Sequence, residues 1–213
     1  CYYPEHRDRA LWKDDLQRMK QYGIEVIRLA EFSWALMEPE EGKYDFSFWD
    51  EFLALAAEEN MKVVFCTPTA TPPAWLSEKY PETLNGDGNL MYHGMRCQHN
   101  LTSPKYLEFC EKITRRMAEH FNKYDCIIGW QLDNEVNCET NEYYSKSDHE
   151  AFRAFLKERF GTLDNLNEKM GTIFWSQTYT DWDQIHLARR STVGTGIANP
   201  HMQLEQVRFI SHS

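Results

Sequence analysis

The chain has 213 residues, of which 42% are hydrophobic and 26% charged, with a net charge of −10. That length is enough for one domain with a sizeable core, and the composition is ordinary for a globular protein. The acidic balance and the lack of any Lys/Arg run disfavour nucleic acid and anionic membranes as partners. No apolar stretch approaches the ~20 residues that span a bilayer, so we expect no membrane partner and a cytoplasmic location.

The termini and cysteines add two expectations. The first residue is Cys1 rather than Met, so a signal peptide cannot be judged from this sequence. The six cysteines are scattered, and none forms a Cys-x-x-Cys pair. We therefore expect reduced thiols rather than a disulfide framework.

Apolar spacing along the chain predicts alternating strands and helices. Tyr2 and Tyr3, directly before Pro4, indicate the end of a short strand. Three β-branched or apolar runs predict three more strands. The predicted strands are residues 2–3, 25–29, 62–66 and 126–132. The predicted helices follow Asp8, Ser47, Ser103 and Ser147, with shorter ones at 163–170 and from Leu204.

Two of these helix starts carry a specific capping pattern. Ser47 with Asp50, and Ser147 with Glu150, have the spacing of a capping box. Ser103 followed by Pro104 is a third start signal, because Pro is favoured at the first helical position. These signals place the helix boundaries that the apolar periodicity leaves open.

The order of elements predicts an α/β fold with a parallel sheet and right-handed crossovers. Four visible strands are half of those in a closed (β/α)8 TIM barrel, which usually has ~250 residues. We therefore interpret residues 1–213 as the N-terminal part, about four βα units, of a single catalytic domain. The irregular stretch 67–102 is long for a compact domain, which is typical of a functional loop.

The strongest functional signal is the segment Asp133-Asn134-Glu135, directly after the predicted strand 126–132. The carboxyl ends of parallel strands face the active site in α/β architectures. A carboxyl group there can donate a proton, and a neighbouring amide can hold a substrate hydroxyl. The alternative is an ordinary acidic loop that starts the next helix.

Five segments in order resemble glycoside hydrolase family 42, the bacterial β-galactosidases. They are YYPE at 2–5, RLAEFSW at 28–34 with EPEEGKYDF at 38–46, TPTATPPAWL at 67–76, WQLDNE at 130–135 and FWSQTY at 174–179. The resemblance runs from the first to the last residue of the chain. Any one segment is weak, whereas five in register make the assignment specific.

The resemblance implies a retaining glycosidase on a (β/α)8 barrel that hydrolyses terminal β-galactosides without a cofactor. In that family pattern Glu135 matches the acid/base, Asn134 the residue that binds the hydroxyl next to the anomeric carbon, and Arg96 an arginine that binds galactose. The nucleophile Glu belongs to a seventh strand, beyond Ser213. A homotrimer is a further implication of the resemblance.

Retaining hydrolysis requires Glu135 to carry a proton, and we expect burial and the neighbouring Asp133 carboxylate to keep the proton on it. Each assignment has a plainer alternative. Asn134 could cap a helix, Arg96 could be a surface arginine, and Glu31 is expected to pair structurally with Arg28 or Arg96. Trp34 is expected at the catalytic face, on the loop after the second strand. Trp75 and Trp175 could wall the sugar site or pack in the core, and His93 and His99 are expected to be structural.

The sequence departs from the family pattern at a metal site. Many members carry a four-cysteine zinc cluster, but Asn100 occupies the first of those positions and only Cys138 remains of the later ones. Three missing thiolates leave no tetrahedral structural site, so we predict no metal. The runner-up function is a non-catalytic carbohydrate-binding protein derived from a glycosidase fold.

Overall fold

A computed structural model describes residues 1–85, 96–136, 138, 144–187 and 199–212. These residues form two compact units. The first holds the described residues of Cys1–Pro81, Tyr92–His99 and Leu107–Asn141. The second holds those of Glu82–Met91, Asn100–Tyr106 and Glu142–Ser213. No helix in the described ranges is long and apolar enough to cross a membrane.

The first unit is built on a parallel three-stranded sheet in the order β1-β2-β3. The strands are β1 (Val26–Leu29), β2 (Lys62–Cys66) and β3 (Ile127–Gln131). The helices up to β3 are α1 (Trp12–Gln21), α2 (Trp34–Met37), α3 (Ser47–Glu58), α4 (Ala74–Lys79) and α5 (Pro104–Phe121). The predicted α/β class and parallel pairing are therefore confirmed.

The core of this unit is aromatic and lies between the sheet and its helices. Phe65 of β2 contacts Trp49 of α3 and Phe121 of α5, with ring centroids 5.4 and 4.9 Å apart. Trp12 of α1 meets Phe52 of α3 edge to face at 5.2 Å. All five side chains are almost fully buried. The apolar spacing that predicted these helices is thus the spacing that packs them on the sheet.

The second unit contains three further helices around its own core. They are α6 (Lys146–Phe160), α7 (Leu163–Met170) and α8 (Pro200–His212). Gly161 and Gly171 end α6 and α7 with positive φ angles of 71° and 60°, as expected of C-terminal glycines. The buried apolar cluster consists of Phe152, Leu156, Leu166, Met170, Ile185, Leu187, Met202 and Phe209.

The strand predicted at residues 2–3 is wrong. Tyr2 N donates to Arg28 O at 3.0 Å, but the chain then turns into a 3-10 segment at Pro4–His6. Since proline has no N–H to donate, the pairing cannot continue past it. The described residues therefore contain three strands where four were predicted.

Both predicted capping boxes are also wrong. The N-cap of α3 is Phe46, with no side-chain cap, and Asp50 instead accepts a 2.7 Å hydrogen bond from Tyr124 Oη. The box of α6 lies two residues earlier than predicted, at Ser145 and Asp148. The Ser147 hydroxyl instead accepts from Asn100 Nδ2 at 2.6 Å. Tertiary partners thus displaced the local capping interactions.

The third strand differs from its predicted buried state. Ile128, Trp130 and Leu132 are 55%, 38% and 75% exposed, although the run is apolar. The pairing of β2 with β3 shifts register at Val63/Val64, and β3 is the edge of the described sheet. An exposed apolar edge strand is a template for further pairing.

Candidate active site

Polar side chains from three loops meet at the carboxyl edge of the sheet. Glu31 follows β1, Thr67 and Thr69 follow β2, and the Asp133 to Glu135 segment follows β3. Because the strands are parallel, their carboxyl ends lie at the same edge. The predicted position of the site is therefore where these loops converge.

The loop after β3 is held in an unusual conformation by Asp133. Its Oδ2 accepts from Thr69 Oγ1 at 2.7 Å, and its backbone N–H donates to Thr67 Oγ1 at 2.8 Å. Asp133 and Glu135 have positive φ angles of 56° and 49°. Such angles are uncommon for residues other than glycine and persist where neighbours enforce them. Thr67 and Thr69 hold Asp133 in this conformation.

Asn134, between Asp133 and Glu135 in this loop, is buried, with 5% of its surface exposed. Its Oδ1 accepts from Gln131 Nε2 at 3.2 Å, and its backbone oxygen accepts from Cys97 Sγ at 3.6 Å. The cap of α6 is Ser145, so Asn134 does not cap that helix. Its amide is available for another task.

Arg96 and Glu135 are joined by an ion pair, with 2.6 Å between Nη1 and Oε2. The guanidinium also lies 6.0 Å from the centre of the Phe32 ring and 3.8 Å, through Nη2, from Cys138 Sγ. Arg96 is thus part of the loop cluster rather than an isolated surface arginine. The structure brings all three predicted site residues together.

The expected surroundings of Glu135 differ from those observed. Its side chain is 53% exposed rather than buried, and its close charged partner is the Arg96 cation. The Asp133 carboxylate is instead occupied by Thr69 and by the Asn134 N–H, at 2.5 Å. The surroundings that the sequence predicted for Glu135, burial beside the Asp133 charge, are therefore not those that the structure shows.

Glu31 has the structural role that the sequence favoured. It is fully buried, and Oε1 accepts from Arg28 Nη2 at 3.0 Å and from Tyr3 Oη at 2.9 Å. Burial raises the pKa of the Tyr3 phenol, and the Glu31 charge raises it further, so Tyr3 stays a donor. The remaining oxygen, Oε2, has no hydrogen-bond partner among the described residues.

Glu38 and two tryptophans are also structural. Both carboxylate oxygens of Glu38 accept 2.8 Å hydrogen bonds, from Trp34 Nε1 and from Gly42 N. Trp75 donates to the backbone oxygen of Glu38 at 2.8 Å and packs edge to face on Phe109 at 5.5 Å. The alternative of core packing therefore holds for Trp34 and Trp75.

Of the two histidines in the stretch 67–102, His99 lies among the described residues and is buried. His99 is 6% exposed, and burial lowers its pKa to about 4, although the Asp133 charge opposes this. It is therefore neutral near pH 7. His93 and the side chain of Trp175 lie outside the described residues.

The residue that sequence reasoning missed is Gln131, the last residue of β3. Its Oε1 accepts from Arg28 Nη1 at 2.9 Å, while Nε2 donates to Asp133 O at 2.8 Å and to Asn134 Oδ1. The only sequence signal was its place at a strand end, two residues before Asp133. Its partner Arg28 is 103 residues away along the chain.

Asn100 occupies a hydrogen-bonded cluster in the second unit. Its Nδ2 donates to the Ser145 and Ser147 hydroxyls, and its Oδ1 accepts from Thr102 N at 3.0 Å. Within the described ranges, no three His, Cys, Asp or Glu side chains are grouped to hold a metal ion. That the protein binds no zinc stays a prediction.

Comparison with known proteins supplies the family. The family model described as "Beta-galactosidase", glycoside hydrolase family 42, matches residues 1–213. The β-galactosidase BgaA of a Thermus species is 42% identical over 99% of this chain and 33% of its own length. The chain thus spans about a third of the length of the curated relatives it matches.

Solved structures agree. β-Galactosidases from the psychrophilic Marinomonas ef1 and from the haloarchaeon Halorubrum lacusprofundi each match the whole chain with a TM-score of 0.91. Their sequence identities are 37% and 38%, and the match covers 32% of each of those chains. This chain therefore belongs to glycoside hydrolase family 42, the β-galactosidase family.

Proposed function

We propose that the polypeptide containing this chain is a retaining β-galactosidase on a (β/α)8 barrel, with Glu135 as its acid/base. One observation carries the proposal: Asn134 and Glu135 leave β3 at the carboxyl edge of a parallel sheet, with Arg96 bound to Glu135 at 2.6 Å. Membership of the family supplies the substrate class, a terminal β-galactoside. In this proposal the chain supplies the first βα units of that barrel.

Retaining hydrolysis uses two carboxyl groups about 5–5.5 Å apart. Glu135 first donates a proton to the leaving oxygen and then, as a carboxylate, takes a proton from the attacking water. The carboxylates Glu31 and Glu38 are poor candidates for the nucleophile, since both are buried and hold structural hydrogen bonds. We assign the nucleophile to a carboxylate outside residues 1–213.

Arg96 has two tasks in this proposal. In the present state its Nη1 lies 2.6 Å from Glu135 Oε2, so the guanidinium contacts the carboxyl group that the leaving oxygen must reach. A galactoside whose hydroxyls accept from the planar guanidinium competes for the same donors. Binding of the substrate would thereby release Glu135 for proton donation.

The test is turnover with a known stereochemistry. We expect the full-length polypeptide that contains this chain to hydrolyse a nitrophenyl β-galactoside and to release β-galactose first, as followed by NMR of the anomeric proton. First appearance of α-galactose would contradict the retaining mechanism. Binding of galactose without turnover would favour the runner-up, a non-catalytic carbohydrate-binding protein. Assembly into a homo-oligomer stays a prediction.

A further inference from the structure

The hydrogen bonds around Gln131 have only one possible direction. Arginine carries donors and no acceptor, so the Gln131 atom that faces Arg28 Nη1 at 2.9 Å must be Oε1. The other end of the amide is then Nε2, which faces the backbone oxygen of Asp133 at 2.8 Å. A carbonyl oxygen only accepts, so both ends of Gln131 agree on one orientation.

This orientation passes on to Asn134. Gln131 Nε2 only donates, so the Asn134 atom at 3.2 Å from it must be the acceptor Oδ1. The Asn134 Nδ2 group, a double donor, therefore faces away from Gln131. The amide of an isolated asparagine could flip, exchanging its oxygen and nitrogen positions, at almost no steric cost, because its two ends have nearly the same shape.

We propose that Gln131 is a positioning residue that fixes the polarity of the Asn134 amide, so that Nδ2 donates to a substrate hydroxyl. The inference rests on the proposed function, in which Asn134 binds the hydroxyl next to the anomeric carbon. That hydroxyl can donate or accept. With Nδ2 fixed as a donor, the substrate hydroxyl accepts a hydrogen bond from Asn134, and the proton of that hydroxyl is directed to another partner.

The anchor of this relay is buried. Glu31, fully buried, holds Arg28 through a 3.0 Å contact between Oε1 and Nη2, and Tyr3 Oη shares the same oxygen. Arg28 lies on β1 and Gln131 on β3, so the relay crosses the sheet. Gln131 also holds the Asp133 carbonyl, and the amide and the loop that carries Glu135 are set by the same side chain.

The decisive variant is Gln131→Glu in the full-length polypeptide. It keeps the shape and an acceptor for Arg28, but its carboxylate cannot donate to Asn134 Oδ1. Asn134 then turns its amide to donate to Glu at position 131 and presents Oδ1 to the substrate. Gln131→Met is the second variant. It removes both the acceptor and the donor at this position, so the Asn134 amide can take either orientation.

The readout is the ratio of kcat/KM for an aryl β-galactoside to that for its 2-deoxy analogue, which lacks the hydroxyl in question. We expect Gln131→Glu to lower this ratio about tenfold or more, with Gln131→Met between it and the wild type. The loss should be larger on the substrate that has the hydroxyl than on the 2-deoxy analogue, because both substrates feel any change in the Asp133 to Glu135 loop.

An equal loss on both substrates, in variants whose circular dichroism and melting temperature match the wild type, would show a merely structural role and overturn the inference. If Gln131→Glu does not fold, an unchanged ratio in Gln131→Met overturns it as well. An inactive wild-type protein would instead refute the proposed function. The two failures are thus distinguishable.

Discussion

Two glutamates follow parallel strands at the same edge of the sheet, yet the structure treats them differently. Glu31, after β1, is fully buried and shares one oxygen between Arg28 and Tyr3. Glu135, after β3, is 53% exposed and contacts Arg96 alone among the described charged groups. If Glu135 is the acid/base that we propose, an arginine partner does not distinguish a structural acid from a reactive one. Burial and the number of fixed partners do.

The difference has an energetic side. Removing the charge of the buried Glu31 leaves Arg28 without its counter-ion and weakens the acceptor that Arg28 shares with Tyr3, which is costly. The exposed pair of Arg96 with Glu135 contributes little to stability, about 0–1 kcal/mol. Replacement of the first should therefore reduce stability, and replacement of the second should reduce activity.

The largest expected effect comes from producing residues 1–213, which contain both glutamates, without the rest of the proposed barrel. We expect residues 1–213 alone to have no β-galactosidase activity and to self-associate or fold poorly. The physical reason is the exposed apolar side chains Ile128 and Trp130 of the edge strand β3 and Leu132 directly after it. Light scattering, denaturant unfolding and an aryl galactoside assay test this. A cooperatively folded monomer with turnover would contradict the half-barrel interpretation.

The next effect tests Glu135 directly. In the full-length polypeptide, Glu135→Gln should lower kcat/KM on unactivated galactosides by about 10² or more, because proton donation is lost. Aryl galactosides with good leaving groups should lose much less in the glycosylation step, since they need no proton. Glu31→Gln is the comparison at the same sheet edge, and any loss there should be equal on both substrate types, because Glu31 acts through Arg28 and Gln131 rather than on the leaving oxygen. Equal losses of Glu135→Gln on both substrate types would count against the acid/base role.

A smaller effect compares the stability of the same two variants. Glu31→Gln should lower the free energy of unfolding by about 2–3 kcal/mol, since Arg28 keeps some exposure and part of its solvation. Glu135→Gln should change it by about 1 kcal/mol or less. Urea unfolding of the full-length variants measures both. The reverse order would mean that Glu135 is the structural acid.

The smallest effect concerns pH. Burial lowers the pKa of His99 to about 4, below the ~6.5 of an unfolded chain. Between these values the unfolded state binds more protons, so His99 contributes stability that is full above about pH 6.5 and lost as pH falls towards 4. We expect about 1–2 kcal/mol of this loss between pH 7 and pH 5. The loss should be absent from His99→Gln, and an identical pH profile in both proteins would refute it.

Much of the fold could be predicted from local sequence. The period of Trp49, Phe52, Leu53 and Ala56 gave the buried face of α3, and all four side chains are fully buried. The β-branched run of β2 gave its bounds, residues 62–66. Periodicity succeeds here because each face is decided by burial against the adjacent sheet.

The capping boxes could not be predicted because distant residues compete for the same groups. Asp50 accepts a hydrogen bond from Tyr124, and Ser147 accepts one from Asn100. These partners are 74 and 47 residues away along the chain, so both lie outside any local sequence window. The exposure of β3 was also hidden, since an apolar run looks the same whether or not another strand covers it.

The candidate site divides in the same way. The positions of Asn134, Glu135 and Arg96 were available from a family resemblance, and the structure brings them together. The partner of Glu135 was not, because Arg96 lies in a loop whose path the sequence leaves open. The relay through Gln131 depends on a contact between two strands that local sequence does not encode.

The most direct test of the central claim is azide rescue of Glu135→Ala in the full-length polypeptide, with an aryl β-galactoside as substrate. A small anion needs no general base, so it can attack the galactosyl-enzyme intermediate that water attacks only slowly in this variant. We predict faster turnover with azide and formation of β-galactosyl azide, with retained configuration. A lack of rescue, or formation of the α-azide, would contradict the assignment of Glu135 as the acid/base.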